Sequence, residues 1–432
     1  MTLASVLADF VEGDIPIAIE AYDGSRAGPA DARATVVIVR PDAVSRVLTR
    51  PGELGIARAY VTGDLDIRGD VFALLEFAAD AGGLRLDPKR LTGLLRATGL
   101  GSLRPLPPPP EEARLRGGVH TRRRDRAAIT HHYDVSNAFY RLVLGESMTY
   151  SCAVFDDRND TLEQAQQSKY ELISRKLGLA PDMRLLDVGC GWGGMVLHAA
   201  GRHGVRGVGV TLSHEQEELA TKRIAEAGLT DRIDIRLQDY RDVRDGPFDA
   251  ISSIGMFEHV GRARMQEYFT RLYDLLRPGA RLLNHAIGRP GYPQPDTRRG
   301  RTTATARRIA SAAGSRTMSK IQSEFMQRYV FPDGELHEVG VVVAMLQETG
   351  FEVRHVETLR EHYALTLRRW VANLETNWDA AVAEVGAGRA RVWRLYMAAS
   401  ALGFERGDLQ IHQVLAVRPD GGRSEMPLRP AF

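Results

Sequence analysis

A glycine-rich turn carries the strongest chemical signal in the chain. Residues 185–194 read LLDVGCGWGG, an apolar strand end interrupted by Asp187 and followed by glycines at 189, 191, 193 and 194. Such a turn lets backbone N–H groups come close to a ligand, and it needs glycine because the backbone angles are unusual. Two templates fit. Gly189, Gly191 and Gly194 match the dinucleotide fingerprint GxGxxG, whereas Gly189, Gly191 and Gly193 match the GxGxG loop of S-adenosylmethionine (SAM) methyltransferases. The next strand separates them. A dinucleotide site places a carboxylate about 20 residues further on for the ribose. Here residues 207–213, GVGVTLS, end in Thr211 with no carboxylate. Asp187 favours SAM, because a carboxylate at the strand end can hold the cofactor near its sulfonium.

The elements around the turn must position it. Thr161 with Gln164, and Ser213 with Gln216, have the spacing of capping boxes that start helices. Strands are expected at Arg184–Val188, 205–210, Ile233–Leu237, 248–253 and 280–287, with helices between and a last strand at 409–417. This alternation predicts an α/β fold with a parallel sheet wrapped by helices. A helix with an apolar run is expected over 333–349. Upstream, residues 1–102 mix short strands (34–40) with helices (Asp42–Thr49, 71–81), which reads as a small α+β accessory domain. Residues 103–130 read as a Pro/Arg-rich linker: LRPLPPPP is followed by six arginines between 114 and 126. The remainder, 131–432, is the catalytic domain, with a basic insert at 289–322.

The 432 residues carry a net charge of only +2, so partners are read from the basic blocks rather than from the total. Nucleic acid is not expected. No apolar run reaches the roughly 18 residues of a membrane span. The first residues carry Asp9, Glu12 and Asp14 with no Lys or Arg, unlike a signal peptide. Cys152 and Cys190 are read as free thiols of a cytoplasmic protein. The His131–His132 pair has no partner at ligand spacing, so no metal is expected.

The motifs taken together resemble the cyclopropane fatty acid synthase family. LLDVGCGWGG, GVTLSHEQ (209–216), LQDYRD (237–242), GMFEHVG (255–261), HYDVSNAFY (132–140), MTYSCAVF (148–155), HAIG (285–288) and YVFPDGEL (329–336) stand in the family's order. The resemblance covers roughly 130–420. It implies the seven-stranded SAM-methyltransferase sheet with a helical cover, and transfer of the SAM methyl carbon to a cis double bond of an acyl chain. Tyr150, Ser151, Asp187, Gly189, Gly191, Thr211, Leu212 and Gln216 are the implied cofactor contacts, with Gln238, Asp239 and Tyr240 bordering the adenine. Gln216 serves the ribose in place of the missing carboxylate.

An alkene is a weak nucleophile, so it attacks a sulfonium methyl only when aligned and kept from water. The product is a carbocation that a base must deprotonate. In the family that base is a bound bicarbonate, and the matching residues are Cys152, Glu258, His285, the backbone N–H of Ile287, and Tyr363. Each alone is an ordinary structural residue; as a set within matching motifs they read as a site. Tyr133 and Asp134 are expected to help close it.

The implied substrate is an oleoyl-like chain in a membrane phospholipid. The basic blocks at 114–126 and 298–308 are candidates for peripheral contact with the inner face of the membrane. About 40 residues separate HAIG from YVFPDG, where ordinary cyclopropane synthases have a short connection. That insert resembles relatives that make a 10-methylene chain, later reduced to a 10-methyl branch. Cyclopropane and methylene products share the carbocation and part only at the deprotonation that ends it, so both stay open, with the insert favouring methylene. A flavoprotein reductase would then be a pathway partner, and a homodimer is expected by analogy. The competing readings are a methyltransferase for a soluble amine or phenol, and a lipid-binding protein that has kept the fold.

Overall fold

The computed structural model describes residues 2–10, 16–80, 88–113, 124, 136–291 and 323–432. The chain divides into two compact units. The first comprises 1–114, 293–332 and 381–402. Its described elements are α1 (Leu3–Ala8), β1 (Ala18–Ala21), β2 (Arg26–Ala27), β3 (Ala34–Ile38), α2 (Asp42–Thr49), α3 (Glu53–Val61), β4 (Leu65–Gly69), α4 (Val71–Asp80) and α5 (Pro88–Thr98). The sheet order is β2-β1-β3-β4, with β1 and β3 parallel.

By compactness this unit extends beyond the expected block 1–102, taking in only 103–114 of the expected linker together with two later segments. A four-stranded sheet of such short strands encloses little core, and polar anchors from distant segments complete it. Buried Arg394 donates to Tyr60 Oη (3.2 Å) and to the carbonyls of Ile67 and Gly69 (3.1 Å each). Glu112, 6% exposed, accepts from both Arg58 Nε and Nη2 (2.9 Å each), from Arg328 Nη1 (2.6 Å) and from Tyr329 Oη (3.2 Å). Removing one partner of a buried ion pair leaves the other uncompensated. Glu112→Ala is therefore expected to lower the unit's stability by about 3 kcal/mol, read as an earlier urea transition; an unchanged midpoint would mean that the guanidinium groups find water instead.

The second unit comprises 115–292, 333–380 and 403–432. It contains α6 (Asn137–Leu144), α7 (Leu162–Leu177), β5 (Arg184–Val188), α8 (Gly194–His203), β6 (Arg206–Thr211), α9 (His214–Glu226), β7 (Ile233–Leu237), β8 (Phe248–Ile254), α10 (Met265–Leu275), β9 (Leu276–Gly288), α11 (Val339–Thr349), β10 (Glu352–Thr358), α12 (Arg360–Thr376) and β11 (Gln410–Val417). A long helix, α13 (Trp378–Arg406), kinks at Gly386 and gives 381–402 to the first unit.

The seven strands run β10-β11-β9-β8-β5-β6-β7. Strands β5 to β9 pair in parallel, and β11 lies antiparallel between β9 and β10. This is the expected α/β architecture. Strand β5 shows why its sequence is apolar almost throughout: Leu186 and Val188 pack with Met265, Phe269 and Leu346 from α10 and α11, while Leu185 packs with Ile173 and Met195 from α7 and α8. A strand covered on both faces reads as a continuous apolar run. Asp187 shares the α7 face with Leu185, so its carboxylate is an exception inside a dry layer.

The Thr161–Gln164 capping box forms in full. At Ser213 only half of it forms: Ser213 accepts from Gln216 N, but Gln216 Oε1 accepts from Thr211 Oγ1 (2.7 Å) rather than reaching back to the cap. The helix expected over 333–349 begins only at Val339. Asp333 has φ +74°, and His337 bridges to Gly288, which holds 333–338 out of a helix. Strand β10 was not foreseen. No described helix is long and apolar enough to cross a membrane.

Candidate active site

Ligands of open α/β sheets bind beyond the carboxyl ends of the parallel strands. At that end of β5, β6 and β8 lies a cavity of about 150 Å³. Tyr150, Ser151, Asp187, Gly189, Gly191, Thr211, Leu212, Gln216, Gln238, Asp239 and Tyr240 all line it. Local geometry explains the glycines. Gly189 has φ +77°, and a Cβ there would lie 2.9 Å from Met256 Cβ. A Cβ on Gly194 would meet Tyr170 Oη at 2.1 Å, so the last glycine of the dinucleotide template serves the packing of α8 on α7.

The polar groups of the cavity are held from behind. Asp187, 2% exposed, accepts from Ser252 Oγ (2.7 Å); burial raises its pKa to about 6, against the pull of Ser252 and Lys169. Lys169 is fully buried and donates to Ser151 Oγ (2.8 Å). Burial lowers its pKa to about 7, while Cys152 and Asp187 favour its charge. Thr211 takes one lone pair of Gln216 Oε1, which leaves the Nε2 amide group to donate to a ribose hydroxyl. Asp239 is clamped by Arg241 through Nε–H (2.8 Å) and Nη2–H (2.7 Å), so it meets the cavity as half of an ion pair. Tyr150 and Trp192 line the cavity, and behind them Tyr140 and Trp370 complete an aromatic chain with centroid separations of 4.7–5.9 Å.

Backbone and strand links connect the five residues expected to serve the base, and none of the five is among the residues that line the cavity itself. Ile287, near the end of β9, gives its N–H to Glu258 Oε1 (2.7 Å). Ile287 is paired in register with Ile411 of β11, and Ile411 O accepts from Leu359 N (3.0 Å). Leu359 O in turn accepts from Tyr363 N (3.1 Å) and from Cys152 Sγ (3.7 Å). His285 lies two residues before Ile287, and its carbonyl accepts from Gly255 N (2.9 Å) at the cavity wall.

The side chains have distinct electrostatics. Burial pushes the Cys152 thiol well up, so it is no nucleophile. Burial raises the Glu258 pKa to about 7, against the pull of the Ile287 N–H, and Glu258 Oε2 is buried without a hydrogen-bond partner. Burial, then the charges of Lys169 and Lys176, push His285 well below its ordinary value, so its ring is neutral. Its tautomer follows from its neighbours. Lys176, paired with Glu357, donates to Gln413 Oε1 (2.7 Å). Gln413 must then donate through Nε2 to His285 Nδ1 (3.1 Å), which places the ring proton on Nε2. That N–H is buried and has no partner.

Lys169, Lys176, Arg241, Ser252 and Gln413 were not singled out from sequence. The two lysines left a signal: they fall on the stripe of α7 that also buries Leu162, Ala165 and Ile173. A lysine in an apolar stripe is rarely idle. His131, His132, Tyr133 and Asp134 lie outside the described residues.

Comparison with known proteins decides the family. The family model described as mycolic acid cyclopropane synthetase matches residues 120–414. The chain belongs to this family. A probable fatty acid methyltransferase of Mycobacterium tuberculosis is 46% identical, covering 100% of this chain and 98% of that one. A tuberculostearic acid methyltransferase of the same organism is 33% identical, covering 94% and 88%. A crystal structure of a mycolic acid cyclopropane synthase complexed with SAH and CTAB is 32% identical with a TM-score of 0.60, covering 67% of this chain and 97% of that one. This member of the cyclopropane synthase family is thus a SAM-dependent methyltransferase of the fatty acid and lipid class.

Gly189→Ala adds a methyl group where the backbone is left-handed and the space is taken. It is expected to weaken SAM binding at least tenfold by calorimetry, about 1.4 kcal/mol; unchanged affinity would place the cofactor elsewhere.

Proposed function

We propose that the enzyme transfers the methyl carbon of SAM to the cis double bond of an oleoyl-like chain in a membrane phospholipid and releases a 10-methylene acyl product. The observation that carries this reading is the pair of orphaned buried atoms, His285 Nε2 and Glu258 Oε2, beside a cavity whose walls fit SAM. Other buried side-chain atoms among the described residues, such as Gln166 Oε1 and Asn284 Oδ1, also lack a partner; these two stand apart because they belong to residues that the family motifs assign to the base, where a ligand would satisfy them. A neutral imidazole N–H and a carboxyl group half-protonated near neutrality are both donors suited to a small oxyanion, so the residues present fit bicarbonate, which supplies the base when bound. Cys152, Glu258, His285, Ile287 and Tyr363 are the residues that would surround it. The Ile287 N–H orients Glu258, and Gln413 keeps the His285 donor turned outward from its own contact.

In the reaction the alkene forms a C–C bond to the methyl as the S–C bond breaks, leaving S-adenosylhomocysteine. The cation forms on the neighbouring carbon. A hydride shift to it from the methyl-bearing carbon, then loss of a methyl proton, gives the methylene; direct ring closure with loss of a methyl proton gives cyclopropane, so the two routes part at the hydride shift and not, as expected from sequence, at the deprotonation. The aromatic chain from Tyr140 to Trp370, extended by Tyr363 at 6.0 Å from Trp370, offers π faces to a positive charge. A tuberculostearic acid methyltransferase (33% identical) and a cyclopropane-fatty-acyl-phospholipid synthase (32% identical) are equally similar to the chain, so the methylene outcome rests on the insert at 289–322.

Peripheral contact with the membrane, a homodimer and a flavoprotein reductase that consumes the product belong to the same proposal. The basic blocks lie outside the described residues except Arg124, which is engaged by Asp333 (2.5 and 2.7 Å) and so is not a free lipid contact. The test is incubation with methyl-labelled SAM and oleoyl-phospholipid vesicles, followed by mass spectrometry. Label in a methylene-branched chain is expected, and label confined to a soluble amine or phenol acceptor would overturn the reading. Glu258→Ala is expected to cut turnover at least 100-fold, about 2.7 kcal/mol, with SAM affinity nearly unchanged; equal loss of both would put Glu258 in the cofactor site.

A further inference from the structure

A second cluster lies on the helices that flank the cavity, and the reaction does not use it. Glu171 on α7 faces His198 and His203 on α8. His198 Nε2 and His203 Nε2 each lie 3.1 Å from the same carboxylate atom, Glu171 Oε2. All three ligand atoms fall within 4.8 Å of one another, and among the described residues this is the one group of His, Cys, Asp or Glu that converges so. We propose that Glu171, His198 and His203 form a site for a divalent transition metal, best suited to Zn²⁺, which ties α7 to α8 beside the cofactor cavity.

The donor set is two imidazole nitrogens and one carboxylate oxygen, a combination that binds zinc with a fourth position open to water. Nitrogen and oxygen atoms about 3.1 Å apart suit ligands held about 2.0–2.1 Å from one ion. The surrounding shell is also present. His198 Nδ1 lies 3.0 Å from Gln167 Oε1. With Nδ1–H donating to that oxygen, the His198 Nε2 lone pair points at Glu171 Oε2. Two acceptors then face each other, and either a proton or a metal ion lies between them. A metal-bound histidine commonly has its other ring nitrogen oriented this way. His198 and Gln167 also border a groove of about 700 Å³, which gives water and the ion a route in.

The position has a consequence for the cofactor cavity. Glu171 follows Tyr170, and α8 starts at Gly194; Tyr170 and Gly194 both line the cavity. A metal bound across the two helices stabilises the folded arrangement by mass action. His198 and His203 are five residues apart, which is not a one-face helical spacing, and the third ligand comes from another helix. Sequence spacing therefore conceals the set.

The experiment compares the metal-free full-length protein with His198→Ala/His203→Ala, with Glu171→Gln and with Gln167→Leu, by Zn²⁺ titration against a chromophoric chelator and by the visible absorption of added Co²⁺. SAM binding serves as the check on folding. Wild type is expected to take up one more equivalent of Zn²⁺ than the double variant and to show Co²⁺ bands that the variant lacks. Glu171→Gln should weaken that site at least tenfold, and Gln167→Leu by about 10- to 100-fold as an outer-shell loss. Equal stoichiometry in wild type and double variant, or unchanged affinity in both single variants, would overturn the proposal and leave a hydrogen-bonded helix contact.

Discussion

The buried ammonium of Lys176 sets the geometry of the site. It lies at 0% exposure on α7, paired with Glu357 of β10 and donating to Gln413 of β11. A buried cation must be paired and hydrogen-bonded to be tolerated. Those demands join three elements that are distant in sequence. They also fix the Gln413 amide, and with it the His285 tautomer. The antiparallel insertion of β11 between β9 and β10 makes this possible, because it sets Gln413 opposite His285 and Ile411 opposite Ile287. One ladder thus carries both the donor and the backbone N–H that orients Glu258.

The same dry layer explains the other perturbed groups. Lys169, Asp187, Cys152 and His285 all lie at 2% exposure or less, and burial shifts each toward its neutral form. A site of this kind keeps few fixed charges near a reacting sulfonium. It suits a reaction in which an uncharged alkene becomes a cation that water must not reach. The price is a set of polar atoms that the protein does not satisfy by itself, and the proposed base occupies that gap.

Much of the second unit was legible because its signals are local. The glycine turn, the Thr161–Gln164 cap and five of the parallel strands follow from short-range pattern, and the strand bounds shift by only a few residues. What escaped depends on contacts far apart in sequence. Strand β10, EVRHVET, alternates polar residues on an edge and carries no apolar run. The half-formed cap at Ser213 is a local exception: Thr211, two residues before the cap, competes for Gln216. The first unit recruits Arg328 and Arg394 from within the stretch expected to be the catalytic domain, which no composition shift marks. The residues lining the cavity were named through family motifs, whereas Lys169 and Gln413, which hold those residues in place, belong to no motif and needed coordinates.

The proposed role of the donor that Gln413 fixes on His285, together with Glu258, is to hold an anionic base. Turnover on oleoyl-phospholipid vesicles in carbon dioxide-free buffer, measured against added bicarbonate, tests it most directly. The rate is expected to rise saturably with bicarbonate. In Gln413→Leu the half-saturating concentration should rise at least tenfold with SAM affinity unchanged. A wild-type rate independent of bicarbonate would contradict it.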